Sequence, residues 1–467
     1  MMQTLTRTKP ITAVTEDGDE HGLARSLSGV DLTLLGIGAI IGAGIFVLTG
    51  VAAATKAGPA LSLSFVMGAL ACGFAALVYA EFASTVPLSG SAYTYTYVTL
   101  GELPAWIIGW DLILEYALAC ATVAIGWSGY FLRLLDGVGI HLPVALTQPP
   151  THGGIINLPA FAIMFLISGL LALGVRQTSL VNALIVVLKL AVIGLFLYVA
   201  IPHAEPANWE PFMPFGWSGV MAGAGLIFFA YIGFDAVSTA AEEAKNPQRD
   251  MPIGIITSLV VCTVIYIAVT VMLTGIAPYT TLNVSDPMAF ALAQVGERFA
   301  AGATAIGAVA GLTSVLLVMM YGQTRVFFAM SRDGLLPKAF STVNPRTRTP
   351  ARTILATGLL IAIAAGLVPI QEVASLVNVG TLAAFIMVSI AVLYLRRAQP
   401  DIHRPFRTPF MPWTPILAIV CCSALIASLE AVTLWRFVVW MLVGVVLYFV
   451  YARRHSVLGF TRGGGVA

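Results

Sequence analysis

Two ionisable residues lie where hydrocarbon would tolerate neither. Lys189 occupies the apolar stretch Leu184-Ile-Val-Val-Leu-Lys-Leu-Ala-Val-Ile-Gly194. It is about ten residues into an apolar run, hence roughly 15 Å deep at 1.5 Å per residue. A lysine at the centre of a membrane helix costs about 2.5–3.5 kcal/mol on insertion scales, so it calls for oxygen partners or a role. A desolvated amine can carry a proton and release it. The alternative is a lysine that donates to backbone carbonyls merely to hold the fold. Glu115 lies about eleven residues into another apolar run, at nearly the same level, and is the candidate partner for charge or proton, unless it bonds locally. Thr313 and Ser314 could add oxygens, although such hydroxyls more often bond their own backbone.

Two glycine-rich stretches carry a second kind of chemistry. They are Gly36-Ile-Gly-Ala-Ile-Ile-Gly-Ala-Gly-Ile-Phe46 and Gly223-Ala-Gly-Leu-Ile-Phe-Phe-Ala-Tyr-Ile-Gly-Phe-Asp235. Glycines at this density, with Phe46, Phe228, Phe229, Tyr231 and Phe234 beside them, predict helix breaks; close helix packing is the competing explanation. At a break, the N–H groups that open one half-helix can hold a carboxylate, and the carbonyls freed at the end of the other can hold an ammonium. A zwitterion matches both. No Asp, Glu, Lys or Arg occurs from 32 to 55, which agrees with a site built from backbone.

The elements that must position these groups follow from composition. Of 467 residues, 58% are hydrophobic and only 10% charged, where a soluble globule would carry roughly 25%. Apolar runs predict about twelve membrane helices, near 31–54, 60–85, 104–132, 157–174, 179–201, 217–240, 252–276, 301–331, 352–369, 373–395, 413–430 and 434–452. The two glycine-rich stretches are the first and sixth, five spans apart and so of opposite direction, as inverted repeats of five helices require. The expected division is a tail at 1–30, a first repeat at 31–201, a second at 202–395, two additional helices at 396–452 and a tail at 453–467.

Arg332, Lys338, Arg346, Arg348, Arg352, Arg396, Arg397, Arg404 and Arg407 crowd alternate loops, whereas the opposite loops carry Lys56, Arg133, Arg298 and Arg436. The richer side is expected to face the cytoplasm, with both termini. The acidic start, Glu16, Asp17, Asp19 and Glu20, lacks the pattern of a cleavable signal peptide. All six histidines fall in tails or loops, and the five cysteines lie in apolar spans without metal-ligand spacing, so no metal or other cofactor is expected. A phosphate-binding loop, a G-x-S-x-G elbow and a sensor domain are likewise missing, which disfavours a membrane enzyme or receptor.

Several long stretches, in order, resemble the amino acid–polyamine–organocation transporters, and within them the bacterial relatives of the cationic amino acid transporters. They are Gly42-Ala-Gly-Ile-Phe46, Pro87-Leu-Ser-Gly-Ser-Ala-Tyr-Thr-Tyr-Thr-Tyr97, Gly109-Trp-Asp-Leu-Ile-Leu-Glu-Tyr116, Phe229-Ala-Tyr-Ile-Gly-Phe-Asp235, Glu242-Glu-Ala-Lys-Asn-Pro247, Met330-Ser-Arg-Asp-Gly-Leu-Leu-Pro-Lys338 and Asn344-Pro-Arg-Thr-Arg-Thr-Pro350. The resemblance covers nearly the whole chain. It implies an all-α membrane protein with the leucine-transporter-like five-plus-five inverted repeat, discontinuous first and sixth helices, two extra helices and alternating access in a bacterial inner membrane. It further implies that substrate lies against Ile40, Ala43, Gly44, Phe229, Ala230 and Ile232, with Phe229 as a gate. Ala43 stands where relatives often carry a hydroxyl. Lys189 falls where sodium-coupled relatives hold a sodium ion, which implies proton coupling.

Met319, about twelve residues from the inner end of the eighth span, is expected beside the substrate side chain, although helix packing explains it equally. With a thioether there and no carboxylate in either glycine-rich segment, small or medium neutral L-amino acids are favoured over cationic ones. The expected partners are an L-amino acid, protons and the lipid bilayer, with no nucleic acid. An exchanger and a sodium-coupled symporter are the alternatives; a channel, receptor or membrane enzyme is the different class.

Overall fold

The computed structural model describes residues 27–86, 91–174, 179–344, 346–347 and 349–457. The acidic run at 16–20, Pro87–Gly90 of one family motif, Arg348, the Glu242 side chain and the last ten residues lie outside the described residues.

The chain is predominantly helical over its described residues. In order it forms α1 (Gly29–Ile40), α2 (44–57), α3 (Leu61–Thr85), α4 (Ser91–Thr99), α5 (Glu102–Gly137), α6 (Leu158–Ala172), α7 (Ser179–Ala200), α8 (Gly216–Ile227), α9 (Asp235–Glu243), α10 (Pro247–Ile276), α11 (Pro287–Gln294), α12 (Arg298–Arg332), α13 (Ala351–Leu367), α14 (Ile370–Ala398), α15 (Trp413–Ala427) and α16 (Ala431–Leu447). Among the described residues, eight helical stretches are long and apolar enough to cross a membrane, and four shorter apolar helices accompany them. Each of the twelve expected spans coincides with one helix or a pair of half-helices.

Local chemistry sets several boundaries. Ser28 opens α1 with a reciprocal cap, its hydroxyl accepting from the Asp31 N–H while the Asp31 carboxylate accepts from the Ser28 N–H at 2.8 Å. Asn157 caps α6 through the Ala160 N–H at 3.2 Å. Gly58, at φ +61°, and Pro59 separate α2 from α3.

Burial separates centre from rim. Of the most apolar window in each stretch, 78% is buried in α5 and 83% in the Gly216–Ser238 stretch, against 17% in the stretch Ala431–His455. The buried helices therefore read as core on all sides, and α16 presents most of its apolar surface outward, as lipid contact requires. α5 packs on α12, α3 on α10, and α6 on α13.

At the end of the molecule that carries most Arg and Lys, Leu27 and Ala244 form a parallel bridge, with Leu27 N–H donating to Glu243 and Lys245 N–H to Leu27. Nearby, the buried Glu81 carboxylate of α3 accepts two hydrogen bonds from Arg396 and one from the Thr408 N–H. These contacts tie α3, α14 and the following loop together.

Candidate functional site

The helix breaks expected at the two glycine-rich stretches are present and touch. α1 ends at Ile40, Ile41 turns to ψ 95°, and helical structure resumes at Gly44. On the other side, α8 passes into a short turn, Phe228–Tyr231; Ile232 is extended at φ −61°, ψ 134°, and Gly233 adopts φ +123° before α9 begins. A Cβ on Gly44 would lie 2.2 Å from the Ala230 Cα, and one on Gly233 would lie 2.8 Å from the Ala39 carbonyl carbon. Only glycine lets the two backbones approach this closely, and at Gly233 the left-handed conformation demands it as well.

Six of the seven residues expected to line the substrate lie on the two touching breaks. Ile40, Ala43 and Gly44 come from the first break, and Phe229, Ala230 and Ile232 from the second, all buried. Met319 is buried on α12, one turn beyond Val315, the residue that faces Gly42. The exposure of Phe229, Ile232 and Met319 is only 5–6%, so these side chains are packed against protein.

Lys189 reaches this centre from α7. Fully buried, its Nζ donates to the Gly38 carbonyl at 2.7 Å and to the Ile41 carbonyl at 2.9 Å, both freed where α1 ends. Gly311 of α12 makes room for the lysine stem: a Cβ there would lie 2.9 Å from the Lys189 Cε. The carbonyls are the lysine's oxygen partners; among the described residues no ion pair joins it to Glu115. Thr313 does not serve it either, since its hydroxyl donates to its own Val309 carbonyl and accepts from the Trp127 indole.

Glu115 belongs to a different group. It lies beside Thr381 of α14, with one carboxylate oxygen lacking a hydrogen-bond partner. One turn earlier on α5, Asp111 is buried and neither of its oxygens has a hydrogen-bond partner among the described residues; Gly380 of α14 accommodates it, since a Cβ there would fall 2.5 Å from Oδ1. Asp235 sits at the second break, buried, accepting from the Gly233 N–H at 3.1 Å. It stabilises the unusual backbone turn that starts α9.

One residue the sequence alone did not single out joins both breaks. The Tyr266 hydroxyl of α10 lies 2.8 Å from the Ile40 carbonyl and 2.9 Å from the Ala230 carbonyl. A phenol with a polar tip in an otherwise apolar span was the available signal. Asp111 was similarly legible as the residue four before Glu115, on one face of the same helix.

A family model described as amino acid permease matches residues 27–457. The chain is 52% identical over 459 residues to the methylthioribose transporter of Bacillus subtilis (strain 168), covering 98% of this chain and 100% of that protein. It is 55% identical over 444 residues to the branched-chain amino acid permease BcaP of the same organism, covering 94% and 95%. It is 38% identical over 410 residues to cationic amino acid transporter 4, vacuolar, of Arabidopsis thaliana, covering 86% and 68%.

Proposed function

Because this chain belongs to the amino acid permease family, we propose that it is a proton-coupled uptake carrier for small or medium neutral L-amino acids, working by alternating access. It is a membrane transporter, not an enzyme. The observation that carries the coupling is the pair of hydrogen bonds from Lys189 to the Gly38 and Ile41 carbonyls. A charged ammonium grips those carbonyls strongly, and loss of its proton weakens the grip on α1. α1 is then free to swing as the inner side opens. The same carbonyls are oxygens that a sodium ion would need, and a resident cation disfavours sodium there.

Packing supports the five-plus-five repeat: the second span meets the seventh, the third meets the eighth, the fourth meets the ninth, and the first and sixth touch at their breaks. In this reading the substrate carboxylate faces the N–H groups opening α2, and its ammonium competes with Tyr266 for the Ile40 and Ala230 carbonyls. Glu115, with Asp111 one turn away on the same helix, supplies a second buried acidic group in this reading. Both termini lie in the cytoplasm, on the side of the Arg-rich loops.

Two relatives of similar identity bear names for a thiosugar and for branched-chain amino acids. Overall identity therefore does not select the substrate, and Met319 with the apolar site favours neutral amino acids over cationic ones. The test is uptake of labelled alanine, valine, arginine and methylthioribose into proteoliposomes under an inward proton gradient, a sodium gradient or neither. Proton-driven alanine or valine accumulation is expected. Accumulation driven only by sodium, uptake only against preloaded amino acid, or selective methylthioribose uptake would each replace this reading.

A further inference from the structure

On the face opposite the Arg-rich loops, a cleft of about 300 Å³ opens between α2, α8, α14 and the start of α16. Four charges line it, contributed by separate elements. Lys56 Nζ of α2 is 3.0 Å from Glu430 Oε1 in the turn before α16, and Arg436 of α16 pairs with Glu372 in the first turn of α14. The charges sum to zero, two of each sign. Side-chain exposures of 33% to 73% mean that both pairs compete with water, so each is weak and readily exchanged.

We propose that this cleft binds a compact zwitterion, its ammonium taken by Glu372 or Glu430 and its anionic group by Lys56 or Arg436. A ligand of one sign meets a cancelling set of charges, whereas a dipolar ligand offers a partner to a group of each sign. Ser375 and Thr433 add hydroxyls to the same wall. A free amino acid and an aminophospholipid headgroup share this chemistry, and Val432, 58% exposed at the rim, leaves room for either.

The occupant would act on the central site by contact. The cleft reaches Thr55 and Lys56 on the outer half of one broken helix and Ala222 and Leu226 on that of the other. The Leu226 carbonyl accepts from Asn378 of α14 at 2.9 Å, so α8 is already fastened to the helix that carries Glu372. A bound zwitterion braces the outer halves of both broken helices against α14 and α16. It thereby slows outward opening.

The test uses the full chain and two probes, labelled L-alanine in equilibrium dialysis and phosphatidylethanolamine or phosphatidylglycerol in native mass spectrometry of nanodisc-derived protein. The comparison protein carries Lys56→Gln, Glu372→Gln, Glu430→Gln and Arg436→Gln together. A second variant, Ser375→Leu, fills the cleft and keeps every charge. Either of two results supports the site and identifies its source: the wild type binds one more alanine per chain than both variants, or it retains phosphatidylethanolamine over phosphatidylglycerol by about tenfold and both variants lose that preference. If both variants match the wild type with both probes, there is no zwitterion site.

Discussion

Lys189 and Gly38 are 151 positions apart in sequence, and the lysine ammonium and the glycine carbonyl oxygen are 2.7 Å apart in the fold. The same ammonium reaches the Ile41 carbonyl, so one side chain of α7 satisfies two of the backbone oxygens exposed where α1 stops. A break in a membrane helix is stable only when its freed groups find partners. Whatever removes this donor therefore acts directly on the break at the end of α1.

Lys189→Ala should abolish coupling and lower the thermal midpoint, since two carbonyls at the break lose their donor. Gradient-driven accumulation should fall to the level seen without a gradient, because the two charged hydrogen bonds that tie the proton to α1 are gone. Counterflow exchange of the same substrate in proteoliposomes should persist. A mutant that still concentrates substrate with protons would remove the lysine from the coupling.

Tyr266→Phe removes the donor shared by the Ile40 and Ala230 carbonyls and leaves the ring in place. Two buried carbonyls then lack a partner, at about 1–3 kcal/mol each unless water enters. The thermal midpoint in detergent should fall by a few degrees and the substrate KM should change. An unaltered midpoint with unaltered KM would mean that the hydroxyl does not hold the breaks together.

Gly44→Ala should eliminate transport. Its Cβ would meet the Ala230 backbone at 2.2 Å, whereas a Cβ on Gly73, also in an apolar helix, meets nothing within 4 Å. Gly73→Ala is thus the matched control and should transport normally. Normal uptake by Gly44→Ala would show that the two breaks separate without loss.

Asp286, in the loop before α11, makes the stability pH-dependent. Burial pushes its carboxyl up from 3.8 to about 6, against the lowering effect of its ion-pair partner Arg133; Asp136, which pairs with His141, adds to the rise. A raised carboxyl favours the protonated folded state, so the stabilisation is fully present below about pH 4 and is lost as pH rises through about 6. Wild type should gain thermal stability relative to Asp286→Asn as pH falls from 7 to 4. A difference that stays flat, or that grows toward alkaline pH, would contradict this assignment.

Much of the molecule was legible in one dimension because the bilayer imposes a one-dimensional rule. Apolar runs of sufficient length must be helices, which is why the expected spans and the observed helices coincide even at the short Leu158–Ala172 and Trp413–Ala427. The density of glycines at 36–44 marked a break, and of these Gly44 is the one whose missing side chain lets backbone meet backbone. Lys189 was conspicuous through its desolvation penalty alone.

Partnership was not legible. Depth along a helix follows from counting, and it placed Lys189 and Glu115 at the same level; azimuth does not, and the fold turns Lys189 to α1 and Glu115 to Thr381 of α14. The sequence by itself determined a helical membrane chain with two fragile segments and a few costly polar residues. Only the tertiary structure decided which freed carbonyl met which donor. A hydrogen bond depends on ångström-scale approach between helices far apart in the chain, and hydrophobic periodicity carries no record of that distance.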